Sequence, residues 1–384
     1  MDRRVALATR RLACTLWPHQ RRSLTEMIRL EEVTQRGGIF ADDTGLGKTV
    51  VVLGLIASGH GHTLVVAPSM VVPVWLEELA THAPSMDVAT TCAAQNPPAV
   101  CVVSYARMAA VRESFNGWTR LVLDEAHQIR DRDSRRHRIA ASLGTLTTTR
   151  WAVTGTPFQT KGNDLRTLAS FACLDAELTA SQIARNYLIR SEHAEVMREL
   201  PANWQWPLPV ASTVTVDAEE GAVKTRKQCA LLPAKVSACA EQARRLHCER
   251  GSVVVFSSHR EALARVCAEL VDVPVHRLYG ALSVERRTAA IVRWRDTGGV
   301  LLCTLRTTGL GIDLTSARAI VLVSPEPNPF TEHQAVSRVA RPGCREAPCV
   351  VRLMVRGGAD EQALEHQTAA LATWRFLRGE ESQR

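Results

Sequence analysis

Two short stretches limit how this chain can fold: ADDTGLGKT at 41–49 and LVLDEAHQI at 121–129. In the first, Gly45 and Gly47 let the main chain curl so that successive N–H groups face one space. Lys48 and Thr49 follow at once with an ammonium and a hydroxyl. A triphosphate with its Mg²⁺ requires that pattern. In the second, Asp124 and Glu125 directly follow the apolar run Leu121, Val122, Leu123, which reads as a buried parallel strand. Ligands of open α/β sheets bind beyond the carboxyl ends of the strands, so the two stretches can serve one nucleotide if their strands share a sheet.

The rest of the chain repeats the theme. Apolar runs alternate with helical patterns, as expected of parallel sheets built from βαβ units. Strands are expected at Gly38–Ala41, Thr63–Ala67, Val100–Ser104, Leu121–Asp124 and Arg150–Thr154. A second series follows at Ser252–Ser257, Val275–Leu278, Gly299–Cys303, Ala319–Val323 and Cys349–Met354. Between them PANWQWPLPVASTVTVDAEEG is rich in Pro and Trp and lacks helical periodicity. The organisation expected is therefore an N-terminal α/β lobe over 1–200, a linker over 201–234 and a C-terminal α/β lobe over 235–384. At 384 residues the chain is long enough for two such cores.

Composition narrows the partners. No apolar run approaches the ~20 residues that span a bilayer, so no membrane partner is expected. The 11 cysteines are scattered without a CxxC pair, which reads as reduced thiols of an intracellular, soluble protein, with neither a disulfide framework nor a zinc site. That places it in the nucleus if the source is eukaryotic or a nuclear virus, and otherwise in the cytoplasm. The net charge of +8 suits a polyanion, although 5 lysines among 47 basic residues also fit a compositional bias toward arginine. RDRDSRRHR at 130–138 mixes signs and reads as a solvated surface. Trp204 and Trp206 read as packing residues of the linker.

Only the first lobe carries a phosphate loop. In the second, TEHQAVSRVARPG at 331–343 sets Arg338 and Arg341 three apart, on one face of an expected helix. Guanidinium groups so placed can act as arginine fingers on a transferring phosphoryl group.

In the order of its motifs the chain resembles the Swi/Snf-type ATPases, the DNA-translocating branch of the superfamily 2 helicases, over roughly residues 12–365. The segments that carry the resemblance are LWPHQ at 16–20, GGIFADDTGLGKTV at 37–50, TLVVAPSMVVPVWLEEL at 63–79, VVSYARM at 102–108, LVLDEAHQIRD and RWAVTGTPFQ at 150–159. In the second half they are VVVFSSHREAL at 253–263, HRLYGALSVERR at 276–287 and the run from Leu301 to Gly343. The resemblance implies two RecA-like lobes, each a parallel sheet flanked by helices, with the ATP site in the cleft between them. It also implies ATP and Mg²⁺ as cofactors and DNA, most readily double-stranded, as partner. Targeting or assembly proteins would be further partners. The chain departs from the family's pattern at Asp43, Thr44, Thr160, Thr307, Thr308, Asp313, Ala340 and Cys344.

Residue by residue, the phosphate loop runs through Asp42, Asp43, Thr44, Gly45, Leu46, Gly47, Lys48 and Thr49, and Gln20 is expected to read the adenine edge. Lys48 neutralises developing charge, Thr49 and Asp124 hold Mg²⁺, and Glu125 is the general base. Arg338 and Arg341 act as fingers, and Gln334 of the same segment faces the nucleotide. His127, with a polar link to Gln334, and Thr154, Gly155 and Thr156 are expected to couple hydrolysis to movement. Ser69, Ser104, Tyr105, Arg107, Arg306 and Thr307 are expected on the DNA backbone. The function so implied is an ATP-hydrolysing translocase acting on DNA. A DEAH-type RNA helicase and a non-catalytic ATP-binding DNA scaffold are the alternatives.

Overall fold

A computed structural model describes residues 2–59, 61–91, 98–114, 117–158, 163–200, 209–217, 225–279, 282–308, 312–341 and 346–378, without the side chains at 2, 112–114, 284, 306 and 308. The chain divides into two units, Met1–Leu200 with Thr373–Arg384, and Pro201–Ala372.

The first unit is built on strands β1 (Gly37–Phe40), β2 (His62–Ala67), β3 (Val88–Ala89), β4 (Val100–Ser104), β5 (Trp118–Asp124), β6 (Thr149–Val153) and β7 (Leu188–Ile189). They form one sheet in the order β3-β4-β2-β5-β6-β1-β7, and the pairings are parallel. The central strands are covered on both faces, which is why HTLVVA and VCVVS read as unbroken apolar runs with no alternation. Helices Pro18–Thr34, Lys48–Ala57 and Val72–His82 close one face through a core that includes Leu24, Met27, Ile28, Val52, Leu55, Trp75 and Trp151. The consequence for function lies in strand order. β5, β6 and β1 are neighbours, so the carboxyl ends that bear Asp124, Thr154 and the glycine loop open side by side.

The second unit contains β8 (Val210–Val216), β9 (Val253–Ser257), β10 (Val275–Leu278), β11 (Val300–Thr304), β12 (Ala319–Leu322) and β13 (Cys349–Val355). Their order is β10-β11-β9-β12-β13-β8, again parallel throughout. One face is packed by Val236, Ala240, Leu263 and Val266 from flanking helices, the other by Trp294, Ala335 and Val339. Both units thus have the α/β architecture expected from the alternating pattern.

Two strands carry no clear local signal, and a third, β8, is the one β excursion expected within the connector. β3 and β7 are two residues long. β8 lies in the stretch read as linker, is mostly exposed, and alternates Val with Ser and Thr. Helix Arg226–Leu231 lies in that stretch too. Trp204, Trp206, Thr160 and Cys344 fall outside the described residues, as do the side chains of Arg306 and Thr308. Eight cysteines are free thiols, but Cys101 on β4 is disulfide-bonded. The expectation that every cysteine is reduced fails there, because scattered spacing gives no hint of which thiols meet in space.

Candidate nucleotide site

The glycine loop leaves β1 at Ala41 and enters the helix that starts at Lys48. Gly45 and Gly47 take φ of 94° and 79°, in the region where a side chain is strained, so the turn needs glycine there. A Cβ on Gly47 would also stand 2.4 Å from Gln20 Nε2 and push that amide aside. The Gln20 amide links two elements. Its Oε1 accepts from the Trp17 N–H at 3.0 Å, capping the helix that begins at Pro18, and its Nε2 donates to the Leu46 carbonyl at 3.1 Å. His19 Nε2 meets the same carbonyl at 3.0 Å, and burial lowers its pKa.

Lys48 Nζ donates to the Asp42 carbonyl at 2.8 Å and to that of Asp43 at 3.2 Å. Burial depresses the pKa of this ammonium, while Glu125, Asp42, Asp124 and Asp43 oppose the shift. The two aspartates offer the loop less than their position in sequence implies. Asp42 accepts from the Ser191 N–H at 2.6 Å and the Ser23 hydroxyl at 3.1 Å, and burial raises its carboxyl to about 6. Asp43 pairs with Arg190 and accepts from the His193 N–H at 3.0 Å. Both carboxylates therefore brace the loop from behind, and what these residues present on the loop is main chain.

On the neighbouring strand end, Asp124 Oδ2 accepts from the Trp75 indole at 2.8 Å, and Oδ1 accepts from the Glu125 N–H at 2.9 Å. Burial first, then the adjacent Glu125 charge, lifts the Asp124 carboxyl to about 6. Glu125 has φ 50°, a left-handed turn that redirects the chain straight off the strand. His127 Nδ1 lies 3.2 Å from Glu125 Oε2, 3.2 Å from the Thr154 hydroxyl and 3.2 Å from that of Thr156. Thr156 N–H donates to Thr154 Oγ1 at 3.1 Å. The general-base candidate and the TGT turn thus form one polar cluster through His127, all inside the first unit. Arg130, missed by the sequence reading although it closes the DEAHQIR run, donates to the Thr156 carbonyl, and burial lowers it to about 10.

The remaining expected residues fall into two groups. Ser69 and Arg107 are exposed at strand ends of the first unit. Ser104 is nearly buried, and Tyr105 is buried with its hydroxyl donating to the Asp124 carbonyl at 2.8 Å, so its role here is to hold Asp124 in place. In the second unit Thr307 is buried, its hydroxyl 2.6 Å from that of Thr304. Arg338 and Arg341 do not lie on the helix, as expected, but in the turn after it. The helix covers Pro329–Val336, and Arg341 Nε and Nη2 donate to the Ser337 and Ile312 carbonyls at 3.2 Å each. Gln334 is buried on the helix itself.

Two all-parallel helix-flanked sheets, one with a glycine loop and a carboxylate pair at nearby strand ends, define a helicase-like P-loop architecture. Residues 19–202 match the SNF2-related domain and residues 235–343 match the Helicase conserved C-terminal domain. The chain belongs to the SNF2-related, helicase-like family.

It is 30% identical over 182 residues to the DNA excision repair protein ERCC-6-like of Bos taurus, an alignment covering 41% of this chain and 14% of the relative. It is 24% identical over 434 residues to the Probable global transactivator of Orgyia pseudotsugata multicapsid polyhedrosis virus, covering 89% of this chain and 87% of that one. The chain thus spans a small part of the repair-protein relatives and most of the viral one. Among solved structures, the Sulfolobus solfataricus SWI2/SNF2 ATPase core in complex with dsDNA is similar at 19% identity with a TM-score of 0.46, covering 96% of this chain and 92% of that one.

Proposed function

We propose that the protein hydrolyses ATP and uses the cycle to move along duplex DNA. The observation that carries this reading is the adjacency of β5, β6 and β1, which brings Asp124–Glu125, Thr154–Thr156 and the loop ending in Lys48 to neighbouring carboxyl ends of one sheet. Membership of the SNF2-related family supports the DNA-driven part, as do relatives named for DNA excision repair.

In this reading the loop amides and Lys48 bind the phosphates, Lys48 exchanging its carbonyl partners for phosphate oxygens. Glu125 takes a proton from the attacking water as the β–γ P–O bond breaks and ADP leaves. Arg338 and Arg341 are assigned to the charge that develops on the γ-phosphoryl oxygens, and Gln20 and Gln334 to the nucleotide. Thr154, Gly155, Thr156 and His127 form the connection by which loss of the γ-phosphate is felt at the residues assigned to DNA, Ser69 and Arg107 among them.

The donor set fits Mg²⁺. Asp124 is a buried carboxylate whose pKa is raised to about 6 beside a second acid, and Thr49 adds a hydroxyl, so a hard divalent cation would find oxygen ligands and relieve their repulsion. Bound there, the ion would neutralise charge on the phosphates.

The test is steady-state ATP hydrolysis by purified protein, alone and with saturating duplex DNA, single-stranded DNA or duplex RNA, with Lys48→Ala as control. Stimulation by duplex DNA that weakens as salt rises is expected, because phosphate contacts release counterions. Stimulation by RNA alone would replace this reading with the RNA-helicase one, and ATP binding without hydrolysis under every condition would favour a scaffold. Wild-type turnover by Lys48→Ala would remove the loop assignment itself.

A further inference from the structure

Behind the glycine loop lies a clamp that the catalytic reading does not use. The edge strand β7 pairs with β1, and its ladder continues into the loop: Ala41 N–H donates to the Ile189 carbonyl at 2.7 Å and Asp43 N–H to the Ser191 carbonyl at 3.0 Å. Arg190 reinforces this zipper. Its Nη1 donates to the Ala41 carbonyl at 2.8 Å, and its Nη2 grips the Asp43 carboxylate. Both side chains are buried, at 4% and 6% exposure. The carbonyls of Asp42 and Asp43 in turn hold Lys48 Nζ. Hence the position of the phosphate-binding ammonium depends on Arg190 through two short links.

The other face of Arg190 is covered by a residue nearly two hundred positions away. Its guanidinium carbon lies 5.3 Å from the ring centroid of Trp374, in the last turn of the helix Ala359–Arg378. Trp374 is 3% exposed and its ring packs against Phe158, two residues beyond the TGT turn, at 6.1 Å. Two further contacts fix this turn on the first unit: Ser181 Oγ donates to the Leu377 carbonyl at 3.1 Å, and Arg378 pairs with Glu192 at 2.8 Å. A guanidinium held between a carboxylate and an aromatic face, out of water, has little freedom, so the aromatic cover sets how firmly Arg190 grips the loop.

We infer that Trp374 is a positioning residue for the nucleotide site, acting through Arg190 and Asp43, so that docking of the C-terminal helix end tunes ATP affinity. This rests on reading the loop as an ATP site. A helix end that seats or releases Trp374 becomes a control point for that site, and a partner that captures residues 373–378 would weaken nucleotide binding without touching it.

The experiment measures equilibrium binding of a fluorescent ATP analogue, mant-ATP, alongside thermal melting. Trp374→Leu should weaken binding about tenfold, the loss expected of one desolvated cation–π contact, while Trp374→Phe, which keeps an aromatic face, should stay within about threefold of wild type. Arg190→Lys keeps the charge but loses the forked grip and should weaken binding to a similar degree. The double variant Arg190→Lys/Trp374→Leu should bind little worse than either single one, because both break the same relay.

Unchanged binding by Trp374→Leu overturns the inference, and so do losses that simply add in the double variant. If Trp374→Leu fails to fold, Trp374→Met, which loses the aromatic face but keeps more volume, alone and combined with Arg190→Lys decides by the same criterion. Wild-type protein that fails to bind mant-ATP would overturn the nucleotide-site reading and the relay with it, an outcome distinct from intact wild-type binding with unaffected variants.

Discussion

Gly155 and Thr44 approach so closely that a Cβ on the glycine would stand 2.5 Å from the threonine hydroxyl oxygen. The same Cβ would lie 3.5 Å from Lys48 Nζ. The turn that ends β6 is thus fitted against the glycine loop that follows β1, and movement in one is felt in the other. Thr44 Oγ1 is buried with no hydrogen-bond partner among the described residues, so no hydrogen bond there opposes a shift of the hydroxyl.

Gly155→Ala should therefore displace Thr44 and with it the glycine loop, at the ~1–3 kcal/mol typical of overpacking, and reduce ATP turnover by about tenfold. Adding Thr44→Ala removes the clashing oxygen and leaves the Thr44 Cβ, 3.8 Å away, in ordinary contact. The double variant should recover most of the activity. Steady-state ATPase rates of the two single variants and the double one decide the point. A harmless Gly155→Ala, or a Thr44→Ala that brings no recovery, would mean the contact does not govern the site.

How much of this was legible in sequence depends on the range of the interaction concerned. The strands that bear Lys48, Asp124 and Thr154 announce themselves because buried parallel strands are locally apolar, and the glycine loop because its backbone needs glycine. The partners of Asp43 are Arg190 and His193, about 150 positions downstream, and no local pattern links an acid to a base at that distance. Spacing places Asp42 and Asp43 in the phosphate loop but cannot show that their carboxylates are held by Ser191, Ser23, Arg190 and His193. Tyr105 misled for a related reason. A tyrosine at a strand end suits a solvent-facing contact, yet its hydroxyl found the Asp124 carbonyl. Arg338 and Arg341 share a face by spacing, but the helix ends at Val336, before they are reached.

A second long-range cluster makes a stability prediction. Glu31 is 5% exposed and accepts from Arg120 Nε at 2.7 Å and Nη2 at 2.8 Å, from Arg4 Nη2 at 2.7 Å and from the Trp151 indole at 3.1 Å. Burial alone would raise its pKa, but Arg120 overrides that, and with the Arg4 and Trp151 hydrogen bonds brings it from 4.5 to about 2. A depressed carboxyl contributes stability that is full above the unfolded value, near 4.5, and is lost as pH falls toward 2. The pH-dependent part is about 3 kcal/mol from the size of the shift.

Glu31→Gln should destabilise the protein by about 3–5 kcal/mol at pH 7, because Arg120 is left buried without its anion. The gap to wild type should narrow by roughly half by pH 3, where the unfolded wild-type carboxyl has already taken up its proton. Urea unfolding at pH 7, 5 and 3 measures both. A gap that stays constant over that range would show that the cluster stabilises through packing and not through charge.

Electrostatically, Glu125 stands between the phosphate-binding ammonium and the second acid of the site. Its carboxylate is one of the anions that oppose the burial-driven fall in the Lys48 pKa, and it helps raise that of Asp124. Removing its charge while keeping its shape should therefore separate binding from turnover. Glu125→Gln relieves repulsion against the phosphates, so affinity for ATP should equal or exceed that of wild type. The amide cannot accept the proton of the attacking water, so kcat should fall by about 10²–10⁴. Glutamine adopts the same left-handed turn at no more cost than glutamate, so the His127 and Thr154 cluster should persist. Mant-ATP binding paired with single-turnover hydrolysis reads both quantities on one preparation. A variant that hydrolyses ATP within tenfold of wild type would transfer the base role elsewhere. One that loses binding and turnover together would mean that Glu125 holds the loop in shape and is not the proton acceptor.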